Sequence, residues 1–217
     1  MNIAAAAMLG SLVLALFALR SEEKSFDTAL NTASAGAAVF TVTAGISGFF
    51  TFMAAFNPQL SAEREFGEQL GRFLLQLPLG QSWLITTIMG SVITVLAFAW
   101  RTWTPTLITA ILAAASFLPL ATQGHSGELA GHNIAVNSIL LHTIGAAVWL
   151  GGLLLVVILR DRSGVGTARL VSRYSSLAIA AFAVVAISGL ARSIVSFGDI
   201  SQPVSYTHLT LPTTPYV

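Results

Sequence analysis

The sequence contains no cysteine. That excludes disulfides, thiolate metal sites and cysteine nucleophiles, and leaves the redox compartment open. Charge is scarce as well: 9% of residues are Asp, Glu, Lys or Arg, where a soluble domain carries about 25%. The net charge of +1 is uninformative: the sequence shows no basic surface suggesting nucleic acid and no acidic tail. Acidic residues are nearly absent from the long apolar stretches, which argues against a carboxylate-driven ion pump. No GxxxxGK[ST] loop and no GxSxG elbow occurs. Nucleotide-driven and serine-hydrolase chemistry therefore lack support, and the chain reads as a non-enzyme.

Apolar residues fill the space that charge leaves. The composition is 55% hydrophobic and the mean hydropathy is +0.80. A soluble fold would leave too much of that surface facing water, whereas lipid-facing side chains can stay apolar. Crossing a hydrocarbon core takes about 20 helical residues. Six segments qualify: Asn2 to Leu19, Ala33 to Phe56, Gln81 to Trp100, Thr104 to Thr122, Ile134 to Leu159 and Tyr174 to Phe197. The second should stop at Asn57-Pro58. The first lacks the positive n-region of a signal peptide and is expected to be a retained span. The expected fold is an all-α, polytopic transmembrane bundle of about six helices.

Between the second and third spans, Leu60, Phe66, Leu70, Phe73, Leu74 and Leu77 recur near helical period, with Glu63, Arg64, Glu65, Glu68 and Arg72 among them. This predicts an amphipathic helix, either lying in the outer interface or packed as a lid over the bundle. The glycines and serines of the spans (Gly36, Gly45, Ser47, Gly48, Gly145, Gly151, Gly152, Ser188, Gly189) fit close helix–helix packing.

Loop charge predicts orientation, because Lys and Arg are retained on the cytoplasmic side. Arg20, Lys24, Arg101, Arg160, Arg162, Arg169 and Arg173 fall on one side of a six-span topology, and Arg64 and Arg72 on the other; Arg192 lies within the last span. The expectation is a membrane protein with its N-terminus outside and the loop between spans five and six in the cytoplasm. Trp83, Trp100 and Trp103 suit aromatic belts at the two interfaces.

The segment Pro203 to Val217 is rich in Thr and Pro, uncharged and aperiodic. It resembles the translated sequencing-adaptor peptide that ends many truncated reading frames. The expectation is a transmembrane domain over residues 1–202 whose natural sequence continued, followed by a non-native or disordered tail. His208 belongs to that tail and to no site.

Three histidines remain. His125 and His132 lie in the glycine-rich loop after the fourth span, with Glu128 between them. Glycine there lets backbone wrap around an ion. His142 lies about two turns into the fifth span, where an ionisable side chain is costly and usually faces the bundle interior. Imidazole suits copper, zinc, iron and nickel alike. In the expected topology Met1, Met8, Met53 and Met89 share the outer side with the histidines, and thioether is a soft ligand that selects Cu(I). The candidate metal residues are His125, His132, His142, Met53 and Met89; the competing reading is solvated histidines and core-filling methionines. A bis-histidine haem site would need a loop histidine to dip inward beside His142.

Gly124-His125, Leu141-His142 and Ala147-Val148-Trp149-Leu150-Gly151-Gly152-Leu153 together resemble the copper resistance protein D family, including its copper-import membrane domains. Pro78-Leu79-Gly80-Gln81-Ser82-Trp83-Leu84 resembles that family's entry into the preceding helix, and the arginine-rich loop followed by Ser188-Gly189 also fits. The resemblance covers roughly residues 30–200. It implies a bacterial inner-membrane protein that moves copper inward or handles it near the membrane, with His125 and His142 as copper-linked residues; the expected partners are the lipid bilayer and a periplasmic copper-binding protein. Some relatives continue into a cytochrome oxidase assembly domain, so a scaffold for oxidase metallation is the alternative, and a haem-binding electron-transfer protein a third reading.

Overall fold

The computed structural model describes residues 1–58, 60–61, 63–123, 132–160 and 167–197. Within them the chain is all-α, in eight helical segments: α1 (Asn2–Ala18), α2 (Lys24–Phe56), α3 (Arg64–Gln76), α4 (Pro78–Ala99), α5 (Trp103–Ala115), α6 (Leu118–Ala121), α7 (His132–Leu159) and α8 (Thr167–Phe197). Five helices are long and apolar enough to cross a membrane, with α5 and α6 together forming one of them; α1 is shorter, at 17 residues. Five of the six expected spans are present with shifted ends, and the first corresponds to the shorter apolar helix α1. The division at residue 202 lies outside the described residues.

The largest shift is at α2, which starts nine residues before the expected Ala33 (33 − 24). Hydropathy marks the apolar run, but the helix extends beyond it because its polar first turns find partners. Arg101 donates to the Asp27 carbonyl at 3.2 Å and to Asn31 Oδ1 at 2.9 Å, and its guanidinium lies 3.9 Å from the Asp27 carboxylate. The turn between α4 and α5 is thereby tied to the base of α2. Likewise α8 starts at Thr167 and takes in Arg169 and Arg173, and Arg173 sits over the Phe17 ring at 5.7 Å. The other end of α2 stops where the sequence places it. Asn57 takes the left-handed conformation (φ 43°) and its N–H bonds to the Met53 carbonyl at 2.9 Å, a helix end that Asn tolerates and the following Pro58 enforces.

Helix α1 is the centre of the bundle. It packs against α2, α5, α7 and α8, and almost every residue from Ala4 to Ala18 is buried. Its closest neighbour is α7: a Cβ on Gly10 would come within 2.5 Å of Gly151 Cα and of the Gly152 nitrogen. On the α2 side, a Cβ on Gly36 would meet the Met8 nitrogen at 2.7 Å. Without a hydrophobic drive between helices in lipid, such close backbone packing holds spans together. Helix α8 packs mainly on α7 and leaves Ile179, Phe182, Ile187 and Leu190 exposed, a surface suited to lipid. Hydroxyls within the spans bond back to their own helix, as Thr86 does to the Ser82 carbonyl and Thr106 to that of Thr102, both at 2.8 Å. This keeps polar groups satisfied where lipid offers no partners.

The span after α4 is broken at Ser116–Phe117. Pro119 has no N–H for the carbonyl four residues back, and the chain tightens there: Phe117 N–H bonds to the Ala114 carbonyl at 3.3 Å and Ser116 Oγ to that of Ala113 at 2.7 Å.

The amphipathic segment forms α3, and it is a lid on the helix ends. Phe73 is buried and, with Phe66, packs on Phe52 and Phe56 of α2 at ring-centroid distances of 5.6–6.1 Å. Leu77 alone separates α3 from α4, and Gln81 donates to the Leu75 carbonyl at 2.8 Å, satisfying the end of α3. Phe73→Ala should free α3 at a cost of ~3 kcal/mol or more. Faster tryptic cleavage after Arg64 and Arg72, with the rest of the bundle intact, is the expected readout; an unchanged rate would show that Phe73 does not anchor the lid.

Candidate functional site: a cavity between α1, α7 and the broken span

A cavity of about 420 Å³ lies between the start of α1, the middle of α7 and the break between α5 and α6. Its walls are mostly apolar, among them Ala5, Ala6, Phe40, Phe117, Leu120 and Leu150; its polar or soft groups are Met1, Asn2, His142 and Thr143. Phe117, released by the broken span, meets Phe40 edge-on at 6.1 Å and forms the floor between α2 and α5.

His142 is ten residues into α7 (142 − 132), so it stands ~15 Å along the axis, near half the depth of a hydrocarbon core. It lies on the seam with α8 and is exposed, bordering the cavity rather than enclosed in the interior as the sequence suggested. The α8 backbone fixes its ring. His142 Nδ1 is 3.1 Å from the Val185 carbonyl oxygen and 3.4 Å from Ser188 Oγ. A carbonyl can only accept, so Nδ1 carries the proton, and Nε2 is left with its lone pair. The Ser188 hydroxyl is itself committed to the Val184 carbonyl at 2.6 Å. A Cβ on Gly189 would stand 3.7 Å from the imidazole, an ordinary van der Waals distance, so the contact does not depend on glycine there. A ring nitrogen held on a backbone carbonyl while its partner stays free is the arrangement metal-binding histidines use.

The other sequence-predicted residues are spread over the molecule. His125 lies outside the described residues, as does Glu128. His132 is the first residue of α7, with its side chain outside the description. Met89, half-buried on α4, packs against the central core. Met53 sits in the last turn of α2, thirteen residues beyond Phe40 (53 − 40) and so ~20 Å further along that helix. Met53 and His142 therefore cannot ligate one ion. The structure brings together instead His142 and Met1, which share the cavity lining. No periodicity or motif pointed to Met1 over the other methionines, because its proximity to His142 arises from α1 and α7 lying parallel. Among the described residues no three His, Asp or Glu side chains gather as a metal cluster.

Comparison with known proteins gives one finding. A family model described as "Copper resistance protein D-like, N-terminal domain" matches residues 1–136. No curated protein and no solved structure matches. The match begins earlier than the resemblance of residues 30–200 suggested and stops six residues before His142 (142 − 136), so the geometry around that histidine is independent of it. With more than half of its length matched, this multi-pass membrane chain belongs to the copper resistance protein D-like family.

Proposed function

We propose that the protein carries copper across the bacterial inner membrane, inward from the periplasmic face, and catalyses no reaction. The observation that carries this reading is His142: a histidine at mid-membrane depth, locked by the Val185 carbonyl, with a free Nε2 beside a cavity. An intramembrane ionisable residue usually marks a substrate or ion pathway. The family supports copper as the substrate. His125 and His132 would collect the ion at the outer surface, His142 would receive it at mid-depth, and Met89 and Met53 would serve as soft contacts along the route. Few, exchangeable ligands suit passage, since an ion must leave as well as enter. A periplasmic copper-binding protein would deliver the ion, and the drive would come from a gradient or a partner.

Copper uptake into proteoliposomes tests the reading. Uptake above that of empty vesicles is expected; normal copper binding with no uptake would leave a scaffold for oxidase metallation, and a Soret band in the purified protein would replace copper passage by haem chemistry. Orientation has its own test, because the chain has no cysteine to interfere. Ser126→Cys should react with an impermeant thiol reagent added from the periplasmic side, and Ser163→Cys should not. The reverse pattern would invert the topology.

A further inference from the structure

From the cavity lining we infer that it is a site for a monovalent soft cation, Cu(I) or its analogue Ag(I), held between Met1 Sδ and His142 Nε2. The inference rests on the copper reading and adds to it the ion's valence and a second ligand. His142 and Met1 line the same space. The imidazole presents Nε2 because Nδ1 is held by Val185. Thioether selects Cu(I), and imidazole serves copper in both oxidation states.

Valence follows from the surroundings. The described walls are predominantly alanine, leucine and phenylalanine side chains and carry no carboxylate. The Thr143 hydroxyl is committed to the Ile139 carbonyl at 2.8 Å. A cation there gives up water for two neutral donors in a low dielectric. The Born cost of that transfer rises with the square of charge, so it is about four times larger for a divalent than for a monovalent ion of equal size. Cu(I), which accepts a low coordination number, fits; Zn(II) and Cu(II), which need more donors and compensating charge, do not. The site thereby distinguishes valence without any charged ligand.

The test uses the full chain behind a cleavable tag, so that position 1 need not be methionine, labelled with selenomethionine and loaded anaerobically with Cu(I), Ag(I) or Zn(II). Metal-to-selenium scattering is expected in the X-ray absorption spectrum with Cu(I), together with much weaker binding of Zn(II). Met1→Leu keeps the shape of the side chain, and should abolish that scattering and weaken Cu(I) about tenfold or more. Met8→Leu, a volume-conserving change in the buried core of α1, should leave both unchanged. Cu(I) bound equally well by Met1→Leu with the selenium signal intact, or Zn(II) bound as tightly as Cu(I), would overturn the site while leaving copper handling standing. No copper bound by any of these proteins would overturn the copper reading itself, and the site with it.

Discussion

Gly10→Val should leave little folded protein. Gly10 faces Gly151 and Gly152, and a single added carbon would lie 2.5 Å from backbone atoms of α7. No side chain there can rotate away. The two helices must separate, and α1 is the helix on which α2, α5, α7 and α8 all pack. Overpacking in a yielding core costs ~1–3 kcal/mol; between two backbones at the bundle centre the expected cost is at the top of that range or above it. Gly151→Val should behave alike, since its Cβ would run into the Ala6 carbonyl. Gly71 supplies the control: nothing lies within 4 Å of a Cβ there. Gly71→Ala in α3 should be neutral or stabilising by up to ~1 kcal/mol from helix propensity. Thermal unfolding in detergent and recovery of monodisperse protein report the difference. A Gly10→Val protein as stable as the parent would mean that α1 and α7 do not meet as described.

His142→Ala should lower copper affinity or uptake by about tenfold or more, the scale on which losing even a supporting group of a metal site is felt. His132→Ala should do less. His132 is the first residue of α7, whereas His142 lies ten residues further along, bordering the cavity on a fixed tautomer. Ser188→Ala should have a smaller effect than His142→Ala, because the Val185 carbonyl still holds Nδ1 after the 3.4 Å contact to Ser188 is gone. Copper titration of the purified variants, with vesicle uptake beside it, makes the comparison. Equal and negligible losses from both histidine variants would show that the histidines are structural.

The sequence by itself determined the solvent, the long spans and an amphipathic helix between the second and third expected spans, and left open whether that helix lies in the interface or lids the bundle. Scarce charge and long apolar runs require lipid, and such runs are visible one residue at a time. Asn57-Pro58 ended α2 as expected, because left-handed capping and a missing N–H are local properties. The amphipathic period of α3 was legible, but Phe73 is its one buried residue, and the packing of that ring on Phe52 and Phe56 came from the fold. Where polar turns continue a span, hydropathy stopped short: the start of α2 depends on Arg101, seventy residues from Asn31 in sequence.

The tertiary structure decided everything that depends on which faces meet. The spans are apolar around their whole circumference, so hydropathy does not mark the packed side, and the small residues read as packing positions did not name their partners. Gly10, Gly151 and Gly152 became a single contact when α1 took the centre, and Met1 came to line the cavity with His142 for the same reason. Met53, predicted to act with the histidines, stands ~20 Å along α2 from that cavity's floor. The tautomer of His142 also came from the fold, because it depends on a carbonyl 43 residues away on α8. In lipid, composition dictates that a helix spans the bilayer, and shape and hydrogen bonds between distant residues dictate what it meets there.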